Sequence, residues 1–178
     1  MSAPWTTPAA RVPALIGERV TLRAVRVDDV GDVVDISVYD GVPADDHASA
    51  LAMLRRIEAD AARGETAHWG ICLTGSDTVI GTIGFYRGFE GGVGEVGYVL
   101  RTPFRGRGVM REALALVVAY GFEQLGLSAI QAHTDASNAP SVRLLERLGF
   151  EPLHAADARL TFELRPGMQP QPTPTDAA

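Results

Sequence analysis

Lysine is absent: the 16 basic residues among 178 are all arginine. Mechanisms that need an ε-amine, whether a lysine Schiff base or the lysine of a phosphate loop, are therefore excluded. Cysteine is nearly absent too. Cys72 alone cannot close an internal disulfide, and nothing in the chain points to an oxidising compartment. Long apolar runs are missing: the longest, 113–122, falls far short of a membrane span, and Met1 is followed by neither a basic nor an apolar leader. A cytoplasmic protein without a membrane partner is expected. Zinc-protease, paired-cysteine and nucleophile-elbow patterns are lacking, and His47, His68, His133 and His154 are scattered, so no metal is expected.

What is present describes a globular chain. Hydrophobic residues make up 46% and charged residues 21%, which excludes wholesale disorder and coiled coil. One hydrophobic core can serve 178 residues, so one domain is expected. The net charge of -6 opposes non-specific binding to nucleic acid, and any anionic ligand must be held locally.

Proline-rich ends, 1–14 and 166–178, read as loose tails around a domain at 15–165. Within it, strand and helix signals alternate without linker or repeat, the pattern of a mixed α/β fold. Val20, Leu22 and Ala24 alternate with polar residues as a first strand. Asp28 or Asp29 then opens a helix with Val30, Val33, Val34 and Val38 on its apolar face, periodicity being weighed above the modest helix propensity of β-branched residues. A second helix follows Pro43, with Asp45 or Asp46 at its start, Leu51, Leu54 and Ile57 inward, and Gly64 past its end. Strands at 67–73, 79–86 and 94–100 follow, joined by hairpin turns. A long helix carries Met110 to Leu125 and stops at Gly126. A fifth strand spans 129–134, Asn138 caps a short helix with Pro140 in its first turn and Gly149 past its end, and Leu160, Phe162 and Leu164 form a last strand.

The most informative stretch runs from Tyr98 to Ala113: a strand, a turn punctuated by Gly106 and Gly108 and rich in arginine, then the long apolar helix. Glycines let successive amides face one anion, and a helix start adds partial positive charge and unpaired N–H donors. Arg101, Arg105, Arg107 and Arg111 supply formal charge around it. Rossmann spacing fails here, because Arg111 stands where a third small residue is needed. Gly92-Val93-Gly94-Glu95-Val96-Gly97 does satisfy a dinucleotide pattern, but it leads into a strand and then Pro103.

Taken together, Gly94 to Leu100, Arg105 to Met110, Glu112-Ala113-Leu114, Asn138 to Ser141 and Leu148-Gly149-Phe150 resemble the GCN5-related N-acetyltransferases (GNAT), in the RimJ/RimL-like, ribosomal-protein alanine acetyltransferase branch. The resemblance covers about residues 15–165. It implies a GNAT fold, a single mixed and mostly antiparallel sheet splayed between the fourth strand, 94–100, and the fifth, 129–134, and flanked by four helices. It implies acetyl-CoA as co-substrate, a primary amine as acceptor, no metal, and a family tendency to dimerise. Tyr98, Val99 and Leu100 match the strand that pairs with the pantetheine arm. Arg105, Gly106, Arg107, Gly108, Val109, Met110 and Arg111 match the pyrophosphate turn, and Asn138 and Ser141 match pantetheine and sulfur contacts. Met110 replaces the family's usual small residue, so its side chain is expected in the core.

The chemistry asks mainly for positioning. A lysine-like amine, pKa about 10.4, is neutral in roughly one molecule per 10³ at pH 7, whereas an α-amine, pKa about 7.7 to 8.0, is already ~10% neutral. Glu95, just before the cofactor-pairing residues, is the expected base, directly or through water, with His133 in reserve. Ser141 is the expected partner of the departing sulfur, since the helical tyrosine of many relatives is replaced by Leu145. The Val99 N–H is the expected oxyanion donor. Glu112 either braces the phosphate turn or favours the helix start. Trp69, Phe85, Tyr86 and Phe89 are candidates for an acceptor pocket, and Cys72 reads as inert packing. The expected activity is N-acetyl transfer to a protein N-terminal α-amine or a small-molecule amine. The alternative is a catalytically silent acyl-CoA sensor, which would keep the phosphate turn but not need Glu95 and Ser141.

Overall fold

The computed structural model describes residues 12–39, 42–156 and 158–167, so most of both expected tails lies outside the described residues. The main strands are β1 (Leu15–Ile16), β2 (Val20–Arg23), β5 (Ala67–Leu73), β6 (Val79–Tyr86), β7 (Val93–Leu100), β8 (Ala129–Asp135), β9 (Glu151–Ala156) and β10 (Arg159–Leu164), and alternating burial is clearest in β2, β7 and β8. They form one sheet in the order β1-β2-β5-β6-β7-β8-β10-β9. Every neighbouring pair is antiparallel except β7 with β8, which run parallel. A separate hairpin joins β3 (Val38–Tyr39) to β4 (Val42–Pro43). The helices are α1 (Val30–Val33), α2 (His47–Ala62), α3 (Val109–Glu123) and α4 (Ala139–Arg147).

Trp69, Phe85 and Val96 of the sheet, with Leu114 and Val117 of α3 and Leu145 of α4, belong to one buried core. The helix sits close: a methyl group on Gly121 would lie 2.8 Å from the Phe85 ring. Two smaller clusters, Val25, Val30, Ala50 and Leu54, and Val33, Ile36, Cys72 and Val79, seat α1 and α2. No helix among the described residues is long and apolar enough to cross a membrane.

The expected helix through Val38 is broken. Only Val30–Val33 is α-helical, between 3-10 turns at Val27–Asp29 and Val34–Ile36, and Val38 lies in β3. Val33 leaves the helical region at φ -120°, ψ 4°, and the Ser37 hydroxyl donates to Val33 O at 2.7 Å, closing the segment. Here the stiffness of adjacent β-branched residues outweighs their periodicity. Ala24 lies outside β2, and β1 and β9, too short or too polar for a period-two signal, went unanticipated. Residues assigned to the loose N-terminal tail are anchored: Val12 packs on the core and Pro13 O accepts the Trp69 indole N–H at 2.8 Å.

The segment after β2 is fixed by charge. Arg23 donates to both Asp29 oxygens at 2.7 and 2.8 Å, and Asp29 also accepts the Arg26 N–H at 2.6 Å. Burial works to raise the Asp29 pKa, but the bonds from Arg23 and Arg26 win and hold it below the ordinary value of 3.8. A depressed folded pKa gives stability that is present above the unfolded pKa and lost as pH falls through the folded one. Asp29→Asn is therefore expected to cost about 2 kcal/mol at pH 7 and to flatten the acid limb of stability. Urea unfolding at neutral pH and near pH 3 measures both, and an unaltered acid limb would count against the assignment.

Candidate active site

β7 and β8 pair only at Val93 with Ala129, Gly94 with Ile130 and Glu95 with Gln131. Beyond Glu95, β7 stays on β6 while β8 continues along β10, so the sheet opens inside. Arg101 donates its N–H to Ile80 O at 2.9 Å. Antiparallel alternation then turns the backbone groups of Val99, Gly97 and Glu95 toward β6, and those of Val96, Tyr98 and Leu100 toward the opening. The expected oxyanion donor is corrected accordingly. The Val99 N–H belongs to the β6 ladder, and the amides of Tyr98 and its even-numbered neighbours face the opening.

The turn between β7 and α3 starts with a 3-10 turn at Thr102–Phe104, after which Gly106 (φ 73°) and Gly108 (φ 77°) take left-handed conformations that glycine adopts without steric cost. Gly108 is the N-cap of α3 and carries no side chain to satisfy the first-turn donors. Glu112 donates its N–H to Gly108 O at 3.2 Å, leaving the earlier amides of the turn to outside partners. The other two long helices are capped. Asp46 Oδ1 accepts the Ser49 N–H at 2.8 Å in α2, and Asn138 Oδ1 accepts the Ser141 N–H at 3.3 Å in α4.

A cleft of about 560 Å³ lies between the opening, this uncapped helix start and α4. It gathers Tyr98, Val99, Leu100, Arg105, Gly106, Gly108, Val109, Met110, Arg111, Asn138 and Ser141, every expected cofactor residue except Arg107, which is exposed beside it. Arg105 folds back, its Nε donating to Leu100 O at 2.8 Å, a bond that also fixes the edge of β7. Met110 is half-buried and packs on the core while still lining the cleft. Glu112 is a brace: its Oε1 accepts the Arg19 N–H at 3.0 Å, tying the β1–β2 turn to the start of α3.

Three site residues, Arg19, Arg143 and Arg147, and one contact of the expected Tyr98 escaped the sequence reading. The Tyr98 hydroxyl meets the Ser141 hydroxyl at 2.8 Å, so the phenol absent from α4 at Leu145 arrives from the sheet. Burial raises the Tyr98 pKa, partly offset by Ser141, and the phenol keeps its proton at neutral pH. Arg143 and Arg147, one turn apart on α4, line the cleft; their four-residue spacing was the available signal. The Arg19 guanidinium stands over the turn, 3.9 Å from where a methyl on Gly108 would sit, and no local pattern announces it.

Glu95 is half-buried where β7 and β8 part. His133 Nε2 lies 3.6 Å from its Oε2 and Arg87 Nε 3.7 Å from its Oε1. His133 Nδ1 in turn meets Thr161 Oγ1 at 3.0 Å. The two base candidates therefore stand side by side, His133 within ion-pair distance of Glu95 and hydrogen-bonded to Thr161. Asp135 is engaged elsewhere, accepting from the Ser137 hydroxyl and N–H at 2.6 and 2.8 Å, bonds that lower its pKa.

A second cavity, about 300 Å³, lies between the sheet and α1 and α2, and shares Tyr98 and Val99 with the first. Tyr86 lines it, whereas Trp69 and Phe85 are fully buried and Trp69 packs edge-on against Tyr120 of α3. Phe89 packs in the same core, 6.0 Å from Phe85. Three of the four aromatic candidates thus belong to the core. Cys72 is buried beside Val79, and burial raises its thiol pKa, consistent with inert packing.

Comparison with known proteins places this geometry. The family model for the acetyltransferase (GNAT) domain matches residues 19–151. The uncharacterized N-acetyltransferase p20 of Bacillus licheniformis is 33% identical over 77% of this chain and 82% of its own. The uncharacterized N-acetyltransferase YoaA of Bacillus subtilis is 29% identical over 78% and 83%. Among solved structures, RimJ of Mycobacterium smegmatis in complex with CoA-disulfide superposes with a TM-score of 0.72 at 22% identity, covering 85% of this chain and 84% of that one. A GNAT-family acetyltransferase from Bacillus anthracis gives 0.72 at 19%, over 86% and 98%. The chain belongs to the GNAT acetyltransferase family.

Gly108→Ala forces a left-handed conformation on a residue with a side chain and is expected to cost about 1 to 2 kcal/mol. It should also tilt the first-turn donors. Chemical unfolding combined with coenzyme A titration measures both, and wild-type values in each would refute the role given to this glycine.

Proposed function

We propose that the protein moves the acetyl group of acetyl-CoA directly to a primary amine, without an acyl-enzyme. The observation that carries this reading is the uncapped start of α3 opening into the same cleft as the free edge of β7. The amides from Gly106 to Met110 suit a diphosphate, with Arg105, Arg107 and Arg111 around it. Arg19, Arg143 and Arg147 add charge for the remaining phosphate of the cofactor. The pantetheine amides suit the backbone of Tyr98 and Leu100, and the Asn138 side chain projects into the same cleft. That arm replaces the neighbour β7 loses after Glu95.

In this reading the amine nitrogen gives up a proton to the Glu95–His133 pair, directly or through water, and attacks the thioester carbonyl. The C–N bond forms, the carbonyl oxygen takes negative charge opposite an amide on the open edge of β7, and the C–S bond then breaks. The departing thiolate receives a proton from the Tyr98–Ser141 hydroxyl pair, and the nitrogen's second proton, lost as the amide forms, passes through water to restore that pair. Its conjugate acid, with pKa about 8.5 by analogy with cysteine, makes a weak donor sufficient.

Isothermal titration with coenzyme A tests the binding half, and release of free thiol from acetyl-CoA in the presence of amines tests the transfer half. Binding without turnover of any amine would reduce the protein to an acyl-CoA sensor. Glu95→Gln should lower kcat/KM about 10²-fold at neutral pH and recover partly at high pH, where the amine deprotonates itself. An unchanged pH profile would free Glu95 of the base role. Tyr98→Phe should reduce kcat more than it raises KM, because the phenol is needed as sulfur departs.

A further inference from the structure

The cavity against α1 and α2 has a composition that restricts what it accepts. Resting on the acetyl-transfer reading, we infer that it is the acceptor site and that it takes a small primary monoamine with an uncharged, apolar body, an alkyl or arylalkyl amine.

Location comes first. The cavity and the cofactor cleft meet across β7, where Tyr98 and Val99 line both. An amine seated on one side therefore lies next to the strand that holds the thioester on the other. Gly97 contributes bare backbone at this junction. A methyl there would lie 3.1 Å from the Tyr86 ring, so the glycine lets that ring close down on the strand as a wall.

The lining decides the chemistry. Val30, Val33, Ile36, Met53, Leu54 and Ile57 make its helical side apolar. Three ionisable side chains also line it, His68, Tyr86 and Tyr98, and all three are neutral at physiological pH. Burial drives the His68 imidazole down to about 4 and raises the Tyr86 phenol, while the rings lie 5.7 Å apart. The Ser37 hydroxyl donates its proton to Val33 O and offers only neutral lone pairs to a ligand. A second ammonium group carried into this space would lose its water without gaining a carboxylate, at a cost of several kcal/mol.

Charge around the cavity argues the same way. Asp35, on the 3-10 turn that follows α1, lies 3.6 Å from Arg101, and Glu95 stands between His133 and Arg87. Both of these carboxylates are thus matched by a cation that would repel a polyamine. A volume of about 300 Å³ is at the small end for ligand sites and suits a single small molecule.

The test is a panel of acceptors assayed by acetyl-CoA consumption, after titration has established that the wild-type protein binds coenzyme A. Phenethylamine and hexylamine are expected to give kcat/KM at least 100-fold above spermidine and kanamycin, and at least tenfold above a peptide beginning with phenylalanine. Preference for a polycation, or for the peptide, would overturn the inference while leaving acetyl transfer intact. Failure to bind coenzyme A would strike the transfer reading instead. Met53→Glu, which adds a carboxylate to the wall, should move the phenethylamine-to-spermidine ratio at least tenfold toward spermidine at unchanged coenzyme A affinity. Met53→Ala guards against a folding failure: the enlarged cavity should favour 4-phenylbutylamine over phenethylamine relative to wild type. Unmoved selectivity in a folded Met53→Ala protein would place the acceptor elsewhere.

Discussion

Everything functional in this fold depends on the early parting of β7 from β8. Three residue pairs hold the two strands together, ending at Glu95 and Gln131. After that, β7 keeps the β6 ladder and β8 keeps β10, so a strand in the middle of the sheet carries an open edge. Unpaired backbone groups need partners, and an edge of this kind is a template for any extended chain bearing amides. The gap is braced from both ends. Arg105 anchors Leu100 O near the end of β7, and the Tyr98–Ser141 contact spans the opening to α4. A flexible substituted-amide ligand can therefore meet a preformed edge, with little ordering left to the protein at the moment of binding.

The second constraint concerns helix ends. The sequence caps α2 with Asp46 and α4 with Asn138, but it starts α3 at Gly108. A side-chain cap is worth about 1 kcal/mol, so an uncapped start on the most deeply packed helix is a local sacrifice. It makes sense where an anion supplies the missing acceptor. Asn138 serves two ends at once: its oxygen caps α4, while the side chain lines the cleft.

Local chemistry made much of this legible in the sequence. Glycine placement, helix periodicity and the Asn138-Ala139-Pro140 start gave α3, α4 and the central strands nearly to the residue. The failures were non-local. Val30 to Val38 carried helical spacing, but adjacent β-branched residues and the Ser37 bond to Val33 O divided the segment. Trp69 and Phe85 looked available to a ligand because alternation alone does not say which face of a sheet a long helix will cover. The parity that turns Val99 toward β6 depends on ladder register, which becomes visible only once Ile80 and Arg101 are paired. Arg19 reaches the site from the β1–β2 turn and the Tyr98 phenol crosses from β7 to α4, and no spacing rule links them to Gly108 or Ser141.

The two sides of β7 also divide the electrostatic labour. In a chain of net charge -6 without lysine, the cofactor side concentrates Arg105, Arg111, Arg143 and Arg147. Guanidinium groups stay protonated across any pH at which the fold survives, so attraction for phosphate there is fixed. The opposite side holds the proposed base pair, Glu95 and His133, beside a cavity whose own His68 and Tyr86 are kept neutral. Cofactor affinity should accordingly be nearly flat with pH, and the pH response of turnover must arise on the acceptor side. That separation follows from topology. Residues alternating along β7 point to opposite faces, so Glu95 and Tyr98, three apart on one strand, face opposite sides of the sheet and are proposed for different halves of the reaction.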